Sequence, residues 1–172
     1  MIDTAAFRDA MALYPTGVVA ITAFAAGGPT GITVGSFFSV SLTPCLVGFC
    51  VSRSSRTWRR MRGETRFCVN ILGDDQERVS EILARRAEPE DFTLINWSAA
   101  GAVVPAVSGA LAWIACDMTA IHDAGTHSVV IGNVSDLVVA RTNTPLIYCR
   151  RRYYSIIPAP LVSVPPLTGE DT

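Results

Sequence analysis

Residues 16–57 read TGVVAITAFAAGGPTGITVGSFFSVSLTPCLVGFCVSRSSRT, and this stretch decides the fold. Two apolar runs, residues 18–24 and 30–37, flank the turn Gly27-Gly28-Pro29, which is the pattern of a β-hairpin. A third apolar run, residues 46–52, leads into Ser54-Ser55-Arg56-Thr57. Between the second and third runs lie Thr33-Val34-Gly35-Ser36 and Ser39-Val40-Ser41. Strand alternation sets Thr33 and Gly35 on one face and Val34 and Ser36 on the other, so one face cannot be wholly apolar. Glycine and small hydroxyl residues at a strand edge let main-chain amides come close to a flat polar ligand. The same composition also suits an edge strand that simply faces water.

Upstream, residues 3–13 read as a short amphipathic helix with Phe7, Ala10, Met11 and Tyr14 on one side, ended by Pro15 and Gly17. Downstream, residues 56–62 suit a short helix opened by serine hydroxyls, and 67–72 a strand. Residues 74–86 suit a helix with acidic residues in its first turn and Arg85 and Arg86 in its last. Residues 87–102, which include Trp97, read as irregular. Two long strands, 109–122 and 127–140, are joined by Asp123-Ala124-Gly125-Thr126, and short strands are expected at 145–149 and 153–156. The expectation is a mainly β fold, a closed or nearly closed antiparallel barrel with a few short helices. It occupies residues 1–157, and a proline-rich tail follows at 158–172.

A chain of 172 residues suits one domain with a real core. No apolar run reaches the roughly 18 residues of a membrane helix without interruption, and the first residues lack a basic region followed by an apolar one. A cytoplasmic protein is therefore expected. The net charge of −1 argues against nucleic-acid binding. All the basic residues are arginine, which excludes Schiff-base chemistry and a phosphate-loop lysine. The five cysteines form no CxxC pair and sit mostly in apolar runs, the pattern of inert buried thiols rather than of a zinc site. Paired carboxylates suited to hydrolysis, GxGxxG, GxSxG and HExxH are all absent from the sequence.

Four places could carry chemistry. Ser54, Ser55, Arg56 and Thr57 offer several donors and a positive charge at a helix start, which suits a phosphate group and equally an ordinary helix cap. Arg53, Arg59, Arg60 and Arg62 thicken the positive field there. His127 follows a tight turn, where it could contact a bound ring or serve the fold, whereas His122 has no evident role. Asn70, polar in an apolar strand, must find a partner, either a neighbouring strand or a ligand. Tyr153 and Tyr154 could stack on a ring or pack the barrel.

Taken in order, several segments resemble the flavin reductase-like, FMN-binding split-barrel family, which includes the reductase components of two-component flavin monooxygenases. The segments are Phe7-Arg8-Asp9-Ala10-Met11, Pro15-Thr16-Gly17-Val18, Gly31-Ile32-Thr33-Val34-Gly35-Ser36-Phe37, Ser39-Val40-Ser41-Leu42, Ser55-Arg56-Thr57 and Phe67-Cys68-Val69-Asn70-Ile71-Leu72. Gly109-Ala110-Leu111-Ala112, Ala124-Gly125-Thr126-His127, Ile131-Gly132-Asn133-Val134 and Pro145-Leu146-Ile147-Tyr148 complete the set. The resemblance implies a six-stranded Greek-key barrel, a homodimer and flavin near the subunit interface. It implies that Thr33, Val34, Gly35, Ser36, Ser39, Val40 and Ser41 line the isoalloxazine. Ser55, Arg56 and Thr57 would hold the phosphate, Asn70 would lie near the pocket, and Ala84 and Arg85 would lie toward the distal part of the cofactor. His127, the catalytic candidate, would sit where reduced nicotinamide stacks on the flavin.

The implied activity passes a hydride from NADH or NADPH to FMN or FAD, with the reduced flavin leaving for a separate monooxygenase. A non-catalytic flavin- or haem-binding split barrel, or a flavin redox sensor, is the alternative. Gly35 departs from the family pattern, which has a second serine there. Cys45 replaces the second proline of a Pro-Pro pair, and Thr126 replaces an aspartate before the histidine.

Overall fold

The computed structural model describes residues 2–85, 89–100 and 104–157, so the expected tail lies outside the described residues. In chain order the elements are α1 (Thr4–Ala12), β1 (Thr16–Gly17), β2 (Val19–Ala25), β3 (Gly28–Val34), β4 (Phe38–Leu42), β5 (Cys45–Ser52), α2 (Arg56–Met61) and β6 (Arg66–Ile71). They continue with α3 (Glu77–Ala84), β7 (Trp97–Ala100), β8 (Val104–Val107), β9 (Ala112–Ala124), β10 (His127–Val139), β11 (Ile147–Cys149) and β12 (Arg152–Tyr154). Short 3₁₀ turns at Asp74–Gln76 and Pro89–Leu94 flank the α3 region.

The main sheet runs β3-β2-β6-β9-β10-β5-β4, and every neighbouring pair is antiparallel. The mainly β class is as expected, but the sheet has seven strands rather than six. The extra strand is β4, which pairs with β5 through a register shift between Ser39 and Ser41. β7, paired with β8, lies within residues 87–102, where irregular chain was expected. The two edges of the main sheet approach each other where the chain leaves β3. There the Ser36 hydroxyl donates to the Cys50 carbonyl (2.8 Å) and accepts from the Cys50 amide (2.9 Å), pinning the exit of β3 to β5 across the split of the barrel.

Alternation along β2, β5, β6 and β10 fills the interior with Ile21, Val47, Phe49, Val51, Phe67, Val69 and Val130. Phe49 meets Phe67 and Trp58 edge-on, with ring centroids 5.5 and 6.2 Å apart. Trp58 thereby anchors α2 to the barrel end. A second cluster of Val18, Leu72, Leu83, Phe92 and Leu146 packs α3 and the 3₁₀ turn at Pro89–Leu94 against the opposite side. Burial pushes the Cys68 and Cys116 thiols up to about 12, so both remain protonated and unreactive near neutral pH.

Asn70 is fully buried and ties strands together. Its amide donates to the Ala20 carbonyl (3.0 Å) and the Thr22 hydroxyl (2.9 Å), and its carbonyl accepts from the Val107 amide (2.7 Å). Thr22 in turn donates to the Pro105 carbonyl. This satisfied polar network joins β2, β6 and β8.

Candidate functional site

β3 is a free edge of the main sheet, and α2 and α3 pack alongside it. An antiparallel edge strand leaves alternate N–H and C=O groups without a strand partner. Here that edge meets a groove made of three clefts that follow the chain from Ile32 to Phe38.

The first cleft, about 200 Å³, lies between β3, the start of α2 and the end of α3. Ser54, Ser55, Arg56, Thr57, Arg59, Ala84 and Arg85 line it, so three arginines and, among the described residues, no carboxylate border the space. Ser55 caps α2, its hydroxyl accepting from the Trp58 amide at 3.2 Å. Arg59 reaches back to the Ser54 carbonyl at 3.4 Å. Thr57 is only 6% exposed, and its hydroxyl has no hydrogen-bond partner among the described residues.

The second cleft, about 230 Å³, shares Ala84 with the first and is lined by Thr33, Val34, Gly35, Ser80, Tyr148 and Tyr153. Tyr148 and Tyr153 face each other across the β11–β12 pair with ring centroids 5.2 Å apart. Ser80, fully buried on α3, holds the walls together. Its hydroxyl is 2.9 Å from the Tyr153 hydroxyl, and its carbonyl accepts from the Thr33 hydroxyl at 3.0 Å. The third cleft, about 310 Å³, meets the second at Gly35 and is lined by Tyr14, Thr16, Ser36, Phe37 and Phe38.

The structure therefore brings together Thr33, Val34, Gly35, Ser36, Ser55, Arg56, Thr57, Ala84, Arg85 and Tyr153 along one groove. Ser39, Val40 and Ser41 lie apart, on β4 at the other edge of the main sheet, where Ser41 accepts from the Thr43 amide. Asn70 faces none of the three clefts.

His127 begins β10, exposed, directly opposite Ser52. Paired residues share a face, so His127 stands on the outer side of the barrel with Ser52. The Ser52 hydroxyl is 2.9 Å from that of Ser54 at the first cleft. The Arg53 amide and guanidinium bond to the Thr126 and Gly125 carbonyls (3.1 and 3.2 Å), fixing the β9–β10 turn beside the Ser54 turn.

Sequence reasoning passed over Ser80, Tyr148 and Thr16. A serine among the apolar neighbours Val79, Ile82 and Leu83 was the available signal for Ser80, because a polar group on a buried helix face needs a partner.

Residues 11–156 match the family described as flavin reductase like domain. A flavin reductase of Pseudomonas putida is 39% identical over 88% of this chain and 89% of its own. The flavin-dependent monooxygenase reductase subunit HsaB of Rhodococcus jostii (strain RHA1) is 36% identical over 95% of this chain and 84% of its own. Among solved structures, nitrilotriacetate monooxygenase component B from Mycobacterium thermoresistibile superposes with a TM-score of 0.83. It is 37% identical and covers 97% of this chain and 98% of its own. Among the described residues no helix is long and apolar enough to cross a membrane, and no cluster of three or more His, Cys, Asp or Glu could hold a metal ion.

Proposed function

The chain belongs to the flavin reductase-like family, and from that premise we propose that it is the reductase of a two-component system. It oxidises NADH or NADPH, reduces FMN or FAD, and supplies the reduced flavin to a separate flavin-dependent monooxygenase. The observation that carries this reading is the groove along β3, with arginines and hydroxyls at one end and tyrosines at the other. Its residues fit a flavin nucleotide. The edge strand offers main-chain groups without a strand partner, and three arginines with no carboxylate among the described lining residues suit a phosphate.

Ser55, Arg56 and Thr57, with Arg59 and Arg85, hold the phosphate in this reading. Thr33 to Ser36 border the ring system, mainly through main chain. The hydroxyls of Thr33 and Ser36 are already committed to Ser80 and Cys50, which makes them braces for the strand. Tyr153, braced by Ser80, closes the far wall. Bound there, the flavin supplies the redox chemistry, accepting a hydride from reduced nicotinamide. The protein positions the two rings and shields them from water, and His127 lies on the nicotinamide side.

A second copy completes the molecule in this reading. Phe38, Val40 and Leu42 of β4 and Leu137, Val138 and Val139 of β10 are 41–84% exposed, and no residue of α1 is buried. Apolar surface of that extent marks an interface.

The test mixes purified protein with NADH or NADPH and an excess of FMN or FAD, and follows the nicotinamide absorbance. Many turnovers per protein with free flavin are expected. A yellow protein that consumes no reduced nicotinamide would overturn the reductase reading in favour of a binding module.

A further inference from the structure

Gly35 joins the second and third clefts, and its Cα is covered by another residue's hydroxyl. A Cβ built on Gly35 would lie 2.5 Å from Thr16 Oγ1 and 3.3 Å from Thr16 Cβ. Position 35 therefore accepts no side chain while Thr16 keeps its rotamer. Thr16 is held in place by β1, where it pairs with Tyr148 of β11, so its backbone is not a loose loop. Its side chain is half-buried, it lines the third cleft, and its hydroxyl has no hydrogen-bond partner among the described residues.

The three hydroxyls around this glycine are not equivalent. That of Thr33 is spent on the Ser80 carbonyl, and that of Ser36 is both donor and acceptor to Cys50. Thr16 is left with its hydrogen-bonding capacity free, its hydroxyl lying over the Gly35 backbone where the two clefts meet. A half-buried hydroxyl without a partner costs free energy unless water or a ligand satisfies it. We infer that Thr16 is a flavin-contacting residue, donating its hydroxyl to a carbonyl oxygen or ring nitrogen of the isoalloxazine laid against Gly35. Thr16 and Gly35 then act as a matched pair, the glycine making room for a hydroxyl supplied from a different strand. This inference rests on the flavin reductase reading and adds to it a residue that recognises the ring rather than the phosphate.

Riboflavin, which lacks the phosphate, separates the two kinds of contact. Binding of riboflavin and of FMN is measured by quenching of flavin fluorescence, with thermal unfolding of the unliganded protein alongside. Thr16→Val keeps the shape and removes the hydroxyl, and it should weaken both ligands by the same factor, about fivefold. Thr16→Ser should bind within about twofold of the wild type, since the donor remains. Thr16→Ala combined with Gly35→Ser moves the hydroxyl to position 35 and should recover most of the loss. As a control, Ser55→Ala with Thr57→Ala should weaken FMN and leave riboflavin unchanged.

Unchanged riboflavin affinity in Thr16→Val would overturn the inference while leaving the reductase reading intact. So would a loss in Thr16→Ser as large as that in Thr16→Val, because a packing role rather than a donor would then explain it. A wild-type protein that binds neither flavin would overturn the reductase reading, and this inference with it.

Discussion

His127 carries its imidazole into solvent with Nδ1 3.0 Å from the Thr126 hydroxyl. That contact orients the ring through Nδ1 and leaves Nε2 free to meet a ligand. Threonine can donate or accept, so this neighbour orients the ring without supplying the negative charge that an aspartate would bring. The expected role is to position the nicotinamide rather than to hold flavin, because the groove-lining arginines and main chain lie on other elements. His127→Ala should lower kcat/KM for NADH by about tenfold, the loss of one good contact. The flavin dissociation constant should change less than about twofold. Steady-state nicotinamide oxidation and flavin fluorescence titration check the two halves separately, and equal losses in both would remove His127 from the nicotinamide side.

At the scale of elements, the β11–β12 hairpin turns on two arginines in the left-handed region, Arg150 at φ 49° and Arg151 at φ 61°. A two-residue turn with both φ positive is the type favoured by right-twisted hairpins, and it normally uses Asn-Gly. Each arginine costs roughly 1 kcal/mol there. The turn is held by the Arg150 amide donating to the Ala12 carbonyl at 2.7 Å and by an exposed Arg151–Asp9 ion pair at 2.9 Å. Exposed pairs of this kind contribute little. Glycine's greater unfolded-state entropy offsets part of the relief, so Arg150→Asn with Arg151→Gly should stabilise the protein by about 1 kcal/mol net and raise Tm by about 2–4 °C. Thermal unfolding and the denaturant midpoint read this out, and an unchanged or lower Tm would refute the strain.

The elements that sequence reasoning missed have local causes. In β4 the polar Ser39 and Ser41 drew attention as ligand contacts, and the following Thr43-Pro44 gave no glycine to announce a hairpin. β7 reads Trp-Ser-Ala-Ala, with only one residue of high strand propensity. By contrast, Gly27-Gly28 and Gly125-Thr126 marked the β2–β3 and β9–β10 hairpins directly, because glycines adopt positive φ at both turns.

For the whole molecule, the barrel class followed from hairpin spacing, whereas only part of the groove lining was legible: Thr33 to Ser36 and Ser55 to Thr57 lie along it, and Ser39 to Ser41 and Asn70 do not. Which hydroxyls remain available to a ligand was not legible. Thr33 is spent on Ser80, 47 residues away, and Ser36 on Cys50, 14 residues away, so only the assembled barrel reveals those commitments. The same assembly exposes what a single copy cannot bury. Leu42 is 84% and Val139 68% exposed, at the free edge strand and the far end of β10, and Phe7 and Met11 of α1 are more than half exposed. An isolated helix of nine residues is too short to persist without packing, and an open edge strand with apolar side chains is an aggregation hazard unless covered. A second copy would meet both requirements. Sedimentation should therefore give twice the 18.4 kDa chain mass. Leu42→Asp combined with Val139→Asp should shift the protein toward the single-chain mass with its far-ultraviolet circular dichroism retained, since neither side chain belongs to the core clusters. A wild type that sediments as one chain at micromolar concentration would show that these faces await a different partner.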